Sequence, residues 1–268
     1  MTNYNQTKLA DFTKKIISIF CNISQKLDRI QLMIIHILTL FPKMFEGPFG
    51  ESIIKRAQEK GLVEIKIHNL RQWAIDKRGT VDDRPYGGGA GMVLRIEPIY
   101  NALKDLTNNW SKKNQKIILL APRGKTFNQK KARQLAKIKE IILICGHYEG
   151  FDERVKKFVD EEISLGDFVL TGGEIPAMAI TDAVVRLLPG VLKKEEACEI
   201  ESFSPGLEKI VDSSFQPQAS NLKPQVYIEY PQYTRPEEFH GLKVPKVLLS
   251  GDPKKIKEWQ KKQIINKK

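Results

Sequence analysis

The densest candidate chemistry lies in residues 80–92, Thr-Val-Asp-Asp-Arg-Pro-Tyr-Gly-Gly-Gly-Ala-Gly-Met. Asp82 and Asp83 supply two carboxylates, Arg84 a permanent cation and Tyr86 an aromatic face, and Gly87, Gly88, Gly89 and Gly91 follow. Glycines this dense are costly in backbone entropy, and packing gives no reason for them. A backbone that must lie close to a flat or charged ligand does, because amides without neighbouring side chains can reach it. Two familiar glycine motifs are excluded. A dinucleotide fingerprint would need glycine at Met92 and a strand before it, whereas the preceding segment is polar and turn-like. Gly124-Lys125-Thr126 ends like a phosphate loop, but Leu119 stands where that motif needs its first glycine.

Three further segments carry glycines and dense polar content, and each directly follows a predicted strand. They are residues 121–125 (Ala121, Pro122, Arg123, Gly124, Lys125), residues 146–154 (GHYEGFDER) and residues 165–174 (LGDFVLTGGE). Ligands of open α/β sheets collect at the carboxyl ends of the strands. Together the three segments predict a cleft for a small molecule with an aromatic base and a charged end.

The elements that must position these segments read as alternating α and β. Residues 34–40, 117–120 and 141–145 are predominantly apolar runs, as expected of strands covered on both faces. Residues 62–67 and 162–165 complete the strand set. Helices are predicted over residues 43–60, 96–106, 128–139 and 174–188, the last entered through Gly172-Gly173. This order predicts a mostly parallel sheet with helices on both faces. Residues 1–32 read as a dispensable basic extension and residues 33–192 as the main domain. Residues 193–230, with Pro205, Pro217 and Pro224, read as a linker. Residues 231–268 read as a short basic helical domain, whose last helix starts at Asp252-Pro253.

The net charge of +12 favours a polyanionic partner. Half of it sits in residues 231–268, where nine lysines and Arg235 face Glu237, Glu238, Asp252 and Glu258. The three cysteines have neither a zinc spacing nor a pairing pattern, and Cys145 ends an apolar run as a core thiol would. The four histidines do not cluster. No apolar run is long enough to span a membrane, and the expected compartment is the reducing cytoplasm.

Several motifs then point one way: residues 80–92, GHYEGFDER at 146–154, SLGDFVLTGGEIPAM at 164–178, RLLPGVL at 186–192, Glu201-Ser202-Phe203, YPQYTRP at 230–236 and VPKVLLSG at 244–251. In these the chain closely resembles bacterial tRNA (guanine-N1)-methyltransferases, the TrmD family of the SPOUT class, from about Met33 to Trp259. The resemblance implies a deep trefoil knot, a rare exception to chain topology rules. It implies that the three strand-end segments hold S-adenosyl-L-methionine, through Ala121, Pro122, Gly146, Tyr148, Glu149, Leu165, Gly166, Asp167, Phe168, Val169, Leu170, Gly172 and Gly173. A Mg2+ near Glu149 is a candidate second cofactor. The implied substrate is the guanine at position 37 of tRNA, 3′ of the anticodon, met by Asp82, Asp83, Arg84, Tyr86, Gly87, Gly88, Gly89 and Glu229. The implied assembly is a homodimer whose active sites are shared between subunits.

Guanine N1 carries a proton near neutral pH, so methylation needs a base for that proton and a cation where charge develops on O6. By resemblance Arg186 is that cation and Glu201 that base. The family uses aspartate here, so Glu201 adds a methylene that a rotamer or backbone shift must absorb. Residues 208–227 look inserted. Family members continue with further helices where this sequence reaches Lys268, which makes a weaker or altered grip on tRNA an expectation. Two rivals are an RNA-binding protein of this fold with little turnover, and a SPOUT enzyme acting on ribosomal RNA. Intact cofactor segments and Arg186 argue against the first, and residues 83–89 against the second.

Overall fold

The computed structural model describes residues 32–107, 114–193, 198, 200–211 and 226–267. The expected extension at 1–32, apart from Leu32, and most of the apparent insertion at 208–227 fall outside the described residues. The chain divides into two compact units, one ending at Val191 and one beginning at Leu192.

In the first unit, β1 (Met33–Thr39) leads through a 3-10 turn (Pro42–Phe45) into α1 (Glu46–Phe49) and α2 (Ser52–Glu59). The single helix predicted over 43–60 is thus broken, at Gly50-Glu51, before Ser52 takes a left-handed φ of 54°. β2 (Val63–Asn69), the short pair β3 (Asp82–Asp83) and β4 (Val93–Leu94), and α3 (Ile96–Leu106) follow. Next come β5 (Gln115–Thr126), α4 (Gln129–Leu135), β6 (Glu140–Cys145), β7 (Glu161–Ser164) and α5 (Glu174–Val185). The five long strands form one sheet in the order β2-β1-β6-β5-β7, and every neighbouring pair is parallel.

The predominantly apolar runs arise because successive side chains leave a strand on opposite faces and both faces are covered. Ile35, Ile37, Ile118, Ile141 and Leu143 pack on one face with Ile54 and Ala57 of α2, Ala132 and Leu135 of α4, and Ala177, Ile180 and Val184 of α5. Leu38, Ile117, Leu119, Ile142 and Ile144 pack on the other with Ile99, Ala102 and Leu103 of α3. Cys145 is a buried thiol on the first face, as its place at the end of an apolar run predicts.

The second unit differs from its sequence reading. Within the segment read as a linker lie a helix, α6 (Pro205–Val211), and a strand, β8 (Val226–Ile228). Pro205 suggested a break, but it occupies the first helical position, where a missing N–H costs nothing. Two short strands, β9 (Glu238–Phe239) and β10 (Leu242–Lys243), form a hairpin. α7 (Lys246–Leu249) and α8 (Pro253–Gln263) follow, and β11 (Ile265–Lys267) returns antiparallel to β8. Asp252 caps α8 as its sequence predicts, its Oδ1 accepting from the amides of Lys254 (3.0 Å) and Lys255 (3.3 Å). No helix among the described residues is long and apolar enough to cross a membrane.

Candidate functional site

A cavity of about 250 Å³ opens where β5, β6 and β7 end. Its first wall is a bulge. Leu120 and Lys125 of β5 both pair with Ile163, so the residues from Ala121 to Gly124 are pushed out of register. The segment expected to be a loop is therefore the continuation of a strand, and Ala121 and Pro122 reach the cavity. Gly124 closes the bulge, because a Cβ there would lie 2.5 Å from the Ile163 backbone.

The second wall runs from Gly146. The Gly150 amide donates to the His147 carbonyl (3.1 Å), and Tyr148 takes a φ of 58° to make that turn. Tyr148 and Glu149 face the cavity. Asp152 and Arg154 do not. The Arg154 guanidinium binds the Asp152 carboxylate at 2.8 and 2.6 Å, and the Asp152 Oδ1 also accepts the Arg154 amide. The Arg154 side chain, more than any other neighbour, holds the Asp152 carboxyl below the usual range. This pair is a clamp on the loop.

The third wall runs from Ser164 to Gly173. The Ser164 hydroxyl accepts the Gly166 amide (3.2 Å), and the Phe168 ring lies over Gly166, 2.9 Å from where a Cβ would stand. Gly172 and Gly173 press on β6. A Cβ on Gly173 would lie 2.6 Å from Cys145 Cα. Leu165, Gly166, Phe168, Val169, Leu170, Gly172 and Gly173 all line the cavity, whereas Asp167 does not. His147 and Phe151, within the predicted segment 146–154 but not singled out there, also line it, and sequence reasoning missed Leu120, Ile163, Ser164 and Pro176. Beneath the third wall, burial first and then the Glu174 carboxylate push the Cys145 thiol up.

The glycine-rich segment joins the second wall. β3 and β4 pair as a hairpin through Asp82 and Asp83. Gly87, Gly88, Gly89 and Gly91 all have left-handed φ (85°, 80°, 123° and 87°), so side chains would strain every one of them. Tyr86 stands fully exposed at the tip. The Asp83 Oδ1 accepts the Arg84 amide (2.8 Å). The hairpin base is tied to the cavity wall by the Glu149 amide to the Met92 carbonyl (3.0 Å) and the Leu94 amide to the Gly150 carbonyl (2.9 Å). Gly91 also lies against the Glu149 side chain.

Arg186 is the C-cap of α5, a helix that starts beside the cavity at Glu174 and runs 12 residues. That is about 18 Å of helix at 1.5 Å per residue, so Arg186 sits at the end remote from the cavity of its own chain. Glu201 belongs to the second unit, in a turn where its carbonyl accepts the Ser204 amide (3.1 Å). Phe203, at a left-handed φ of 66°, donates its amide to the Tyr227 carbonyl (2.8 Å). The Glu229 amide donates to the Ser202 hydroxyl (3.2 Å), so Glu201 and Glu229 flank one small motif.

A cavity walled by Gly146, Gly166, Gly172 and Gly173, with apolar Leu120 and Phe168, fits a flat heteroaromatic ligand with a charged tail. Among the described residues no group of three His, Cys, Asp or Glu side chains is placed to hold a metal ion, and Glu149 would offer Mg2+ one carboxylate at the cavity.

Comparison with known proteins bears on the family and the fold. The family model described as tRNA (Guanine-1)-methyltransferase TrmD matches residues 33–268. The tRNA (guanine-N(1)-)-methyltransferase of Dictyoglomus turgidum is 52% identical over 233 residues, covering 87% of this chain and 85% of that protein. That of Bacillus subtilis is 51% identical over 236 residues, covering 88% of each. The crystal structure of tRNA (m1G37) methyltransferase from Aquifex aeolicus superposes with a TM-score of 0.66 at 42% identity, over 85% of this chain and 88% of that one.

Proposed function

The chain belongs to the tRNA (guanine-N1)-methyltransferase family, and on that premise we propose that it methylates N1 of the guanine at position 37 of tRNA with S-adenosyl-L-methionine bound in the cavity at the ends of β5, β6 and β7. The observation that carries this reading is the cavity itself, in which three glycine-bearing walls meet beside the glycine-rich hairpin. S-Adenosylmethionine supplies the methyl group.

The protein's own residues do the rest. Gly146, Gly166, Gly172 and Gly173 let the cofactor lie against the backbone, and Phe168 and Leu170 exclude water from its apolar part. The Glu201 carboxylate would take the N1 proton, and the Arg186 guanidinium would offset the charge that the N–H electron pair places on O6, which leaves N1 nucleophilic toward the methyl group that bound S-adenosylmethionine would supply.

We also propose that the active form is a homodimer with shared sites. The position of Arg186, a helix length from its own cavity, supports pairing it with the cavity of a second copy. The trefoil knot belongs to the same proposal, supported by β6 lying between β1 and β5 in the sheet.

Calorimetry on Gly146→Val tests the cavity assignment. The new side chain meets the Phe151 ring, 2.8 Å from the position of its Cβ, and drives that ring into the cavity. The folded variant is expected to lose S-adenosylmethionine binding. Unchanged affinity would move the cofactor elsewhere.

A further inference from the structure

Glu174 is a carboxylate only 2% exposed, and it does not line the cavity. Burying such a group is costly where an apolar side chain could fill the space, so its presence calls for a reason. Its Oε1 accepts the hydroxyl of fully buried Thr39 at 2.7 Å. The same Thr39 oxygen accepts the Phe41 amide at 2.9 Å. The Phe41 ring packs on the His147 ring, with centroids 4.9 Å apart. His147 pairs with Gly172 in an antiparallel bridge. Gly172 closes the circuit, because Glu174 Oε2 occupies the place its Cβ would take, and His147 Nδ1 lies 2.8 Å from that same point. Glu174 is also the first residue of α5, where the positive end of the helix favours an anion.

We propose that Glu174 is a positioning residue for cofactor binding: anchored by Thr39 at the end of β1, it holds Gly172 against His147 and so sets the separation of two walls of the cavity. This rests on the reading of that cavity as the S-adenosylmethionine site. Thr39, Phe41 and Glu174 lie outside the cavity lining, so they act through Gly172 and His147. An ordered circuit has its walls already placed when the cofactor arrives, which lowers the ordering cost of binding.

Thr39 is the cleanest handle. Thr39→Val keeps the shape and removes the donor, leaving the carboxylate short of a partner, and Thr39→Ser keeps the hydroxyl. Thr39→Val is expected to raise the S-adenosylmethionine Kd and KM about tenfold or more, the scale of one missing hydrogen bond to a charged group. KM for tRNA is expected to stay unchanged, and Thr39→Ser to restore affinity. In the unaltered protein, hydrogen exchange gives an independent reading. Adding S-adenosylmethionine is expected to slow exchange at residues 171–174 and at Phe41 together, although Phe41 is outside the cavity. Wild-type protein that fails to bind S-adenosylmethionine overturns the cofactor reading itself. Wild-type binding with equal affinity in Thr39→Val, whatever its thermal stability, overturns only the positioning role. Protection at 171–174 without Phe41 does the same, and it decides the matter even where a variant does not fold.

Discussion

The amide of Gly173 donates to the carbonyl of Gly146 across 2.7 Å, and this bond joins the end of β6 to the start of α5 at the rim of the cavity. Gly173 has an ordinary φ of −82°, so another residue could adopt its backbone. What forbids a side chain is the neighbour, since a Cβ would lie 2.6 Å from Cys145 Cα and 2.7 Å from the Gly146 nitrogen. Both are backbone atoms, one in the last residue of the central strand β6 and one directly after it, and neither can swing aside. Gly173→Ala is therefore expected to cost about 1–3 kcal/mol of stability from overpacking, and to weaken S-adenosylmethionine binding by prising two cavity walls apart. Thermal unfolding and calorimetry on one preparation check both, and wild-type affinity contradicts the geometry.

A second expectation concerns pH. His36 Nδ1 lies 2.9 Å from His68 Nε2, and His36 Nε2 lies 3.2 Å from Glu140 Oε1. One neutral arrangement satisfies both contacts, with His68 donating to His36 and His36 donating to Glu140. Burial, aided by Lys66 and opposed weakly by Glu64, lowers the His36 pKa to about 4. Burial, then His36 and Lys66, lower that of His68 to about 4. The unfolded chain thus takes up protons below about 6.5 that the folded chain refuses until about 4. Stability is expected to be full above pH 6.5 and to decline as pH falls toward 4. The decline is of order a few kcal/mol at 1.4 per unit, with half-buried His68 contributing less than His36. Denaturant midpoints measured across this window for the wild type and for His36→Gln test it, and a wild-type curve flat from pH 7 to 4.5 contradicts it.

For catalysis, Glu201→Gln is expected to lower single-turnover methylation by about 10²–10⁴, the usual contribution of a positioned base, with cofactor affinity unchanged. Glu201→Asp removes the extra methylene, and a faster rate than wild type would show that the added length is a handicap. A wild-type rate in Glu201→Gln would move the base to Asp82, Asp83 or Glu229.

The lysines of α8 supply the fourth expectation. Lys254, Lys257, Lys261 and Lys262 lie on one helix of the second unit, and charge on RNA phosphates is met by such side chains without reading sequence. Deleting this segment would also remove β11, which pairs with β8, so truncation confounds charge with folding. Replacing the four lysines by glutamine avoids that. The slope of log K against log salt is expected to shrink by about 0.7–0.9 for each phosphate that is no longer neutralised. An unchanged slope would show that these lysines serve only as a solvated surface.

Much of this was legible in the chain. Residues 34–40, 117–120 and 141–145 announced buried strands because both faces of the sheet are covered, so apolar residues dominate them and the polar exceptions, His36 and Thr39, are buried with hydrogen-bond partners. The glycine pair Gly172-Gly173 and the Gly146 turn pointed to the cavity because only glycine lets two backbones approach so closely. Other features were hidden. Pro122 and Gly124 read as a loop, although a bulge lets β5 continue through them to Thr126. The pairing of β8 with β11 depends on residues nearly forty positions apart, which no local pattern records. The Thr39–Glu174 bond, spanning 135 positions, was invisible for the same reason. Asp167 looked like its neighbours in a cofactor segment, yet it is the residue of that run that stays outside the lining.

The identity of the product decides what reaction the protein performs. Purified protein is incubated with unmodified tRNA and S-adenosylmethionine labelled in its methyl group, and the RNA is digested to nucleosides and to anticodon-loop fragments for mass spectrometry. Labelled 1-methylguanosine is expected in the fragment carrying the guanine 3′ of the anticodon, and its loss is expected in Glu201→Gln. Label on another atom or another nucleoside, or no transfer by protein that binds both tRNA and cofactor, would contradict the proposed reaction.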